Sequence, residues 1–250
     1  MKISAICCTY LRPRELANAV ESFLRQDYPA ELRELIVLDD AGQYPPGMLA
    51  GMPGVKFVTT PHRFRTLGEK RNASAALASP ESEAYCVWDD DDVYLPWHMR
   101  AAVAALREAD YAIPKTIYVE QRGRLARKAN RYLFHGGWSF RRAAFERVLG
   151  YPWMQSGQDQ GLLARFKSVK LRRGNPLQFD PRPSYVYRWF TTPSRWHLSA
   201  LGEGGYEQLG ERPVEPVNGW RPGWDRDWLE LHARCETEQR EAESREAVDT

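Results

Sequence analysis

The sequence predicts an α/β fold, a mainly parallel sheet flanked by helices, with a helical extension at the C-terminus. Three observations carry this expectation. Short apolar runs alternate with stretches of helical period over the first hundred residues. Two of those runs end in aspartates, at 39–40 and 89–92, and ligands of parallel sheets collect at the carboxyl ends of strands. The 250 residues, 43% hydrophobic and 27% charged, have the balance of a globular chain of one to two domains.

The elements follow in order. Residues 3–8 (I-S-A-I-C-C) read as a first strand. Residues 14–25 carry Leu16, Val20, Phe23 and Leu24 at helical spacing, with Pro13 near the start. A second strand, 35–38, ends in Asp39 and Asp40 and is followed by a Gly/Pro-rich loop to Gly54. Residues 55–59 form a third strand, 66–78 an alanine-rich helix, and 84–88 a fourth strand ending in four aspartates. Residues 95–109 are again helical, with Pro96 in the first turn. Beyond Ile113 the alternation breaks down into short strands (116–120, 170–172, 184–187) and helices (142–148, 160–167). Residues 202–224 are Gly/Pro-rich, and 225–247 form a charged helix with Trp228, Leu231 and Cys235 on one stripe.

Composition excludes a collagen, a wholly disordered chain and a disulfide scaffold. No run of eighteen apolar residues is present to span a membrane. The chain enters its first strand without a signal-peptide pattern, and the expected location is the cytoplasm. None of the four cysteines has metal-ligand spacing, and they read as buried thiols.

The net charge of +2 conceals an asymmetry. Residues 111–195 hold 17 Lys+Arg against 4 Asp+Glu, whereas the remainder holds 18 against 29. All nine tryptophans fall at or after Trp88. The middle of the chain therefore differs in chemistry from its flanks.

The strongest chemical signal is V-W-D-D-D-D-V-Y-L-P at 87–96. Adjacent carboxylates at a strand end repel one another, and a hard divalent cation such as Mg²⁺ or Mn²⁺ relieves that repulsion. The alternative is an acidic turn with Asp92 capping the next helix. Four further segments accompany it: I-S-A-I-C-C-T-Y-L-R-P at the start, L-I-V-L-D-D-A-G, G-E-K-R-N-A-S and G-Q-D-Q-G-L-L-A-R-F. In this order and at these separations the five segments resemble a family 2 glycosyltransferase of the GT-A, Rossmann-like fold, over about residues 3–190.

The resemblance implies roles. Thr9, Tyr10 and Arg12 would line the nucleotide pocket, and Asp39 or Asp40 would reach the base or ribose. Neighbouring side chains of a strand alternate, so one of these two faces the nucleotide; as a pair they read equally as a turn. Lys70 and Arg71 would offset the diphosphate, or else form an exposed first helical turn. Asp89 and Asp91 make the D-x-D, with Asp91 on the metal, Asp89 on the ribose or a metal-bound water, and Asp92 as a second ligand. Asp159 would be the general base, its alternative being the N-cap of the following helix. His197 would reach the metal from a late loop. His135, Gly136, Gly137 and Trp138 would form the acceptor side, the glycines admitting the sugar; His135 and His197 read better as packed or solvated imidazoles. His62 and His98 have no catalytic role in this reading. Direct attack by the acceptor hydroxyl would invert the anomeric centre.

Two positions depart from the family pattern: Cys8 where proline is common, and Gln158 where an acid often precedes the base. The Q-x-x-R-W element of processive synthases is absent from the sequence, so transfer of a single sugar is expected. The resemblance favours a UDP-sugar donor with Mn²⁺ or Mg²⁺. It divides the chain into a transferase domain at 1–200 (nucleotide-sugar half 1–110, acceptor half 111–200) and an arm with a charged helix at 201–250.

The basic half suggests a polyanionic acceptor. Its cations are interleaved with Trp138, Trp153, Trp189 and Trp196, which suits hydroxymethylated DNA; lipid-linked phosphates and cell-surface glycans are the alternatives. A nucleic-acid-binding protein on an inactive transferase scaffold is the non-enzymatic reading. A nucleotidyltransferase ranks last, since T-Y-L-R-P replaces the glycine-rich first loop of such enzymes.

Overall fold

The computed structural model describes residues 1–45, 47–49, 51–188, 217 and 219–248. A first sheet has seven strands. Its centre is β1 (Ile3–Thr9), flanked by β2 (Arg33–Asp39) with β3 (Val55–Thr59) beyond it, and by β4 (Ala84–Val87) on the other side, all parallel. The sheet continues through β9 (Ser139–Arg141), antiparallel to both β4 and β6 (Tyr111–Ala112), and ends at β10 (Arg173–Gly174).

Alternation along the central strands sorts the core into two faces. Ile3, Ala5 and Cys7 of β1 and Ala84 and Cys86 of β4 pack with Leu16, Val20 and Phe23 of α1 (Pro13–Leu24) and Met99, Val103 and Leu106 of α3 (His98–Glu108). Ile6, Tyr85 and Val87 point the other way. They meet Ala75 of α2 (Leu67–Ala76), Phe145 of α4 (Arg142–Arg147), and Leu162, Leu163 and Phe166 of α5 (Gln158–Ser168).

A second sheet, in the order β5 (Val93–Tyr94), β11 (Tyr185–Arg188), β7 (Thr116–Gln121) and β8 (Arg124–Ala129), covers the aspartate end of the first. The C-terminal helix α6 (Trp228–Val248) lies on it, burying Trp228 and Cys235 against Tyr118 and Leu125. Its start is set by Asp227 Oδ1, which accepts from the amides of Leu229 and Glu230 at 3.0 Å. Ahead of it the chain runs along α1: Trp220 Nε1 donates to the Pro13 carbonyl at 2.6 Å, Gly223 N to Ala17 O at 3.1 Å, and Trp224 Nε1 to Ser22 Oγ at 3.0 Å. Among the described residues no helix is long and apolar enough to cross a membrane.

Several expectations are corrected. The helix expected from residue 95 begins at His98, so Pro96 precedes it, and Trp97, not Asp92, is the residue ahead of its first turn. The strand expected at 170–172 is the pairing of Arg173 and Gly174 with Tyr111 and Ala112. The half-buried Cys8 departs from the buried-thiol reading, whereas Cys7, Cys86 and Cys235 are buried; all four are free.

Candidate active site

Register brings the predicted segments together. Thr9 pairs with Asp39 across β1 and β2, and Ile6 with Val87 across β1 and β4, so all three strands end at one edge. The turn after β1 passes through Leu11 at φ 53°, a left-handed conformation that side chains rarely adopt. That turn places Arg12 at the head of α1. A cleft of about 460 Å³ opens here, and Thr9, Tyr10, Arg12, Lys70, Arg71, Asp89, Asp91, His135, Gly136 and Asp159 all line it.

The cations and carboxylates of the cleft neutralise one another in pairs. Arg12 Nη1 donates to Asp90 Oδ1 at 2.9 Å and to Asp91 Oδ2 at 2.8 Å. Arg71 Nη2 donates to Asp89 Oδ1 at 2.7 Å. Lys70 Nζ donates to Asp40 Oδ1 and to the carbonyl of Thr9. Lys70 and Arg71 are buried, which removes the exposed-turn alternative. Among the described residues Arg71 also keeps Nε and Nη1 buried without a partner, the mark of a guanidinium still able to take an anion.

Asp39 and Asp40 diverge as alternation requires. The buried Asp39 carboxylate accepts from Ala41 N, Gly42 N and Thr59 Oγ1 at 3.1, 3.0 and 2.8 Å. Burial raises its pKa, against the pull of Thr59. Asp40 turns toward Lys70 and also accepts from Phe64 N at 3.2 Å.

The aspartate run divides in the same manner. Asp89, Asp90 and Asp91 line the cleft. Burial pushes the Asp90 carboxyl up to about 7, with Arg12 opposing. Among the described residues its Oδ2 has no hydrogen-bond partner. Asp92 is turned into the second sheet, where it accepts from Tyr185 Oη and from Arg188 N at 3.0 Å. The expected second-ligand role of Asp92 is therefore corrected: these bonds commit its carboxylate to holding β11 beside the aspartate turn. Asp90 was the residue overlooked, because an alternate-residue D-x-D skips it.

Among the described residues no group of three or more metal-ligating side chains converges. The donor set fits an ion shared with a diphosphate: hard carboxylate oxygens on the cleft wall, one of them, Asp90 Oδ2, unpartnered. His197 lies outside the described residues, as do Trp189 and Trp196.

On the opposite wall, Gly157 at φ 72° precedes α5, so Asp159 falls inside the first turn and is not the N-cap. Among the described residues its carboxylate takes only a long contact from Gln160 Nε2, at 3.4 Å. His135 Nε2 lies 3.0 Å from Tyr151 Oη, and its ring stands edge-on to Trp138 at 5.0 Å. Burial, then Arg71, lowers its pKa to about 4, so the imidazole is neutral near pH 7.

The acceptor-side expectation needs revision at two residues, Gly137 and Trp138. Trp138 is buried in the core with Ile6, Tyr85 and Phe140 and does not line the cleft. A Cβ on Gly136 would lie 2.6 Å from Tyr185 Oη, and one on Gly137 would lie 3.1 Å from both Tyr185 Cδ1 and Pro114 Cγ. The Tyr185 ring, which holds Asp92, therefore fills the Cβ side of both glycines; Gly136 still lines the cleft, whereas Gly137 does not. Tyr151, unforeseen in the sequence, supports both His135 and Arg71, the latter 5.9 Å from its ring.

A parallel sheet whose strand ends carry carboxylates into a cation-bearing cleft, closed by a second small sheet, defines a GT-A glycosyltransferase domain. The chain belongs to glycosyl transferase family 2: the profile of that family, described as Glycosyl transferase family 2, matches residues 4–170. Among solved structures it is similar to S. aureus TarS 1–349 in complex with UDP, at 19% identity and a TM-score of 0.61, covering 75% of this chain and 60% of that one. The UDP-GlcNAc complex of TarS 1–349 gives 19% and 0.60, covering 75% and 58%. Mannosyltransferase PcManGT from Pyrobaculum calidifontis, in complex with GDP-Man and Mn2+, gives 17% and 0.58, covering 79% and 59%. The chain thus spans about three fifths of the length of these structures. No curated protein sequence matches it.

Proposed function

We propose that the chain is a metal-dependent inverting glycosyltransferase that moves one sugar from a nucleotide-sugar, with UDP as the first carrier nucleotide to test, to a hydroxyl of an anionic acceptor. The observation that carries the reading is one cleft lined by Arg71, whose Nε and Nη1 are buried and unpartnered among the described residues, by the Asp89–Asp91 carboxylates, and by the lightly engaged carboxylate of Asp159. Solved structures of the same fold with UDP, with UDP-GlcNAc, and with GDP-Man and Mn2+ support the donor class and the metal.

In this reading Thr9, Tyr10 and Arg12 border the nucleotide, and Asp40 holds Lys70 at the cleft floor. Arg71 directs its free N–H groups at the diphosphate. Asp91, with Asp89, would hold Mg²⁺ or Mn²⁺. The bound ion supplies Lewis-acid stabilisation of the charge that gathers on the departing diphosphate. Asp159 takes the proton of the acceptor hydroxyl as the oxygen attacks the anomeric carbon. Neutral His135, steadied by Tyr151, walls the cleft and does not compete as a base. Free thiols support the cytoplasmic placement.

The cation surplus of residues 111–195 supports an anionic acceptor. The DNA candidate depended on stacking tryptophans: Trp138 is in the core, Trp153 is exposed, and Trp189 and Trp196 lie outside the described residues. Charge therefore carries the anionic acceptor, and hydroxymethylated DNA stands as one candidate polyanion.

A thermal-shift screen of nucleotide-sugars with Mn²⁺ tests the reading. A donor at a hundred times its Kd stabilises by about 2.7 kcal/mol, or about 5–10 °C for a chain of this size. Proton NMR of the product then reports the inverted anomer. No stabilisation by any nucleotide-sugar, or a retained anomer, would refute it.

A further inference from the structure

Gly68, Asn72 and Gly161 belong to the motifs G-E-K-R-N-A-S and G-Q-D-Q-G, yet none of them lines the cleft. All three meet one loop, residues 148–157, which joins α4 to α5. Asn72 grips the backbone of one residue in that loop twice. Its Oδ1 accepts from Tyr151 N at 2.8 Å, and its Nδ2 donates to Tyr151 O at 2.9 Å. The first turn of α2 holds the residues that follow. Leu67 N donates to Gln155 Oε1 at 3.1 Å and Gly68 N to Met154 O at 3.1 Å; these are amides for which a helix has no partner of its own.

Pro152 sits at the centre of the contact. A Cβ on Gly68 would collide with the Pro152 carbonyl, and one on Gly161 would lie 2.6 Å from Pro152 Cγ. A glycine from each helix thus closes on the same residue, and the thickness of that residue sets the spacing of α2 and α5. On α2, Lys70 and Arg71 follow Gly68 by two and three positions; on α5, Asp159 precedes Gly161 by two. The loop is not fixed by burying all its apolar side chains: Tyr151 is buried, whereas Leu149, Trp153 and Met154 are exposed.

We propose that Asn72 is a positioning residue for sugar transfer, acting through Tyr151 and Pro152 to set the first turn of α5, and with it Asp159, against the helix that holds the diphosphate. The proposal rests on the glycosyltransferase reading. α2 has its own anchors on the sheet: Lys70 Nζ donates to the Thr9 carbonyl and to Asp40, and Ala75 packs in the core with Ile6. Release of the clamp therefore displaces the base and leaves the donor-binding cations in place. A displacement of about 1 Å in a reacting group can cost about a hundredfold in rate.

The test uses the full chain with UDP-GlcNAc, UDP-glucose and GDP-mannose, each with Mn²⁺ and with water as acceptor, read as release of the nucleoside diphosphate. The water oxygen bonds the anomeric carbon as the bond to the diphosphate breaks, and Asp159 takes the water proton. The donor that the wild type cleaves fastest is carried to the variants, with kcat from release and donor Kd from calorimetry, at least about 10 °C below each melting temperature. Asn72→Ala cuts both bonds to Tyr151, and Gly161→Ala presses a methyl on Pro152 with Asn72 intact. Val103→Ala, a core truncation on α3 across the sheet, reports what lost stability alone does to the rate. The expected result is a kcat at least about fivefold lower in both clamp variants and not in Val103→Ala, with the clamp variants' donor Kd within about threefold of the wild type. A smaller loss in either clamp variant overturns the proposal. So does a loss of about fivefold in Val103→Ala, or a clamp-variant Kd raised by more than about threefold. If Asn72→Ala does not fold, Gly161→Ala decides alone. If the wild type cleaves none of the three donors, the glycosyltransferase reading itself falls; if it cleaves one and the clamp variants match it, the clamp alone falls.

Discussion

Replacing Asp159 by asparagine separates chemistry from architecture. The side chain keeps its shape and loses only its charge and basicity. Structurally it does little: Gly157 opens α5 without a side-chain cap, and among the described residues the carboxylate meets only its neighbour Gln160, at 3.4 Å. What folding loses is a negative charge in the first turn of a helix, worth about 0.3–1 kcal/mol, or about 1–4 °C in a chain of this size. A general base contributes about 10²–10⁴-fold to the rate, equivalent to about 3–5.5 kcal/mol of barrier. The assay measures initial rates of sugar transfer for wild type and Asp159→Asn, with melting temperature and donor binding recorded on the same preparations. The expected outcome is a rate loss in that range, a small thermal shift and unchanged donor affinity. A rate within about threefold of wild type would refute the base assignment. A melting point lowered by more than about 5 °C, with donor binding lost, would show that Asp159 holds the structure together.

Three further outcomes follow from the geometry. Arg12→Gln removes the cation that bridges Asp90 and Asp91; Mn²⁺ without nucleotide should then bind about tenfold more tightly, measured by electron paramagnetic resonance of free Mn²⁺, and unchanged or weaker binding contradicts it. Gly136→Ala places a methyl 2.6 Å from Tyr185 Oη and should cost about 1–3 kcal/mol by overpacking; an unaltered denaturant midpoint would show that the Tyr185 ring gives way freely. His98 is buried between Cys86 Sγ at 3.3 Å and Ser184 Oγ at 2.8 Å, and burial lowers its pKa to about 3. The unfolded chain therefore binds a proton that the folded chain refuses, and this residue's contribution to stability falls as pH drops below about 6.5. Relative to His98→Gln, the wild type should lose about 2 kcal/mol more between pH 7 and pH 5; parallel losses in urea titrations would contradict the assignment.

The parts legible in the sequence are those where burial is continuous. The strands at β1, β2 and β4 are covered on both faces and read as unbroken apolar runs, and their aspartates mark the ligand edge. β8 is five-sixths exposed, with only Leu125 buried, so R-L-A-R-K-A carries no apolar alternation. β5, β6 and β10 are two-residue pairings, set by partners distant in the chain.

The site shows the same division. Which segments meet was readable from order and residue type. Which carboxylate points where was not, because that depends on long-range partners: Tyr185 and Arg188 draw Asp92 inward, and Arg12 gathers Asp90 with Asp91. Gly136 and Gly137 resembled a sugar cradle, yet the ring that fills their space comes from a residue about fifty positions later. Trp138 likewise read as a stacking residue until β9 turned it into the core.

The central claim is that one cleft holds a nucleoside diphosphate through a metal on the aspartate turn. Calorimetric titration of UDP and GDP into wild type and Asp91→Asn, with and without Mn²⁺, tests it most directly. The account predicts that at least one nucleotide binds the wild type only with Mn²⁺, and that Asp91→Asn weakens this binding by about tenfold or more. Binding indifferent to both the metal and the substitution would contradict it.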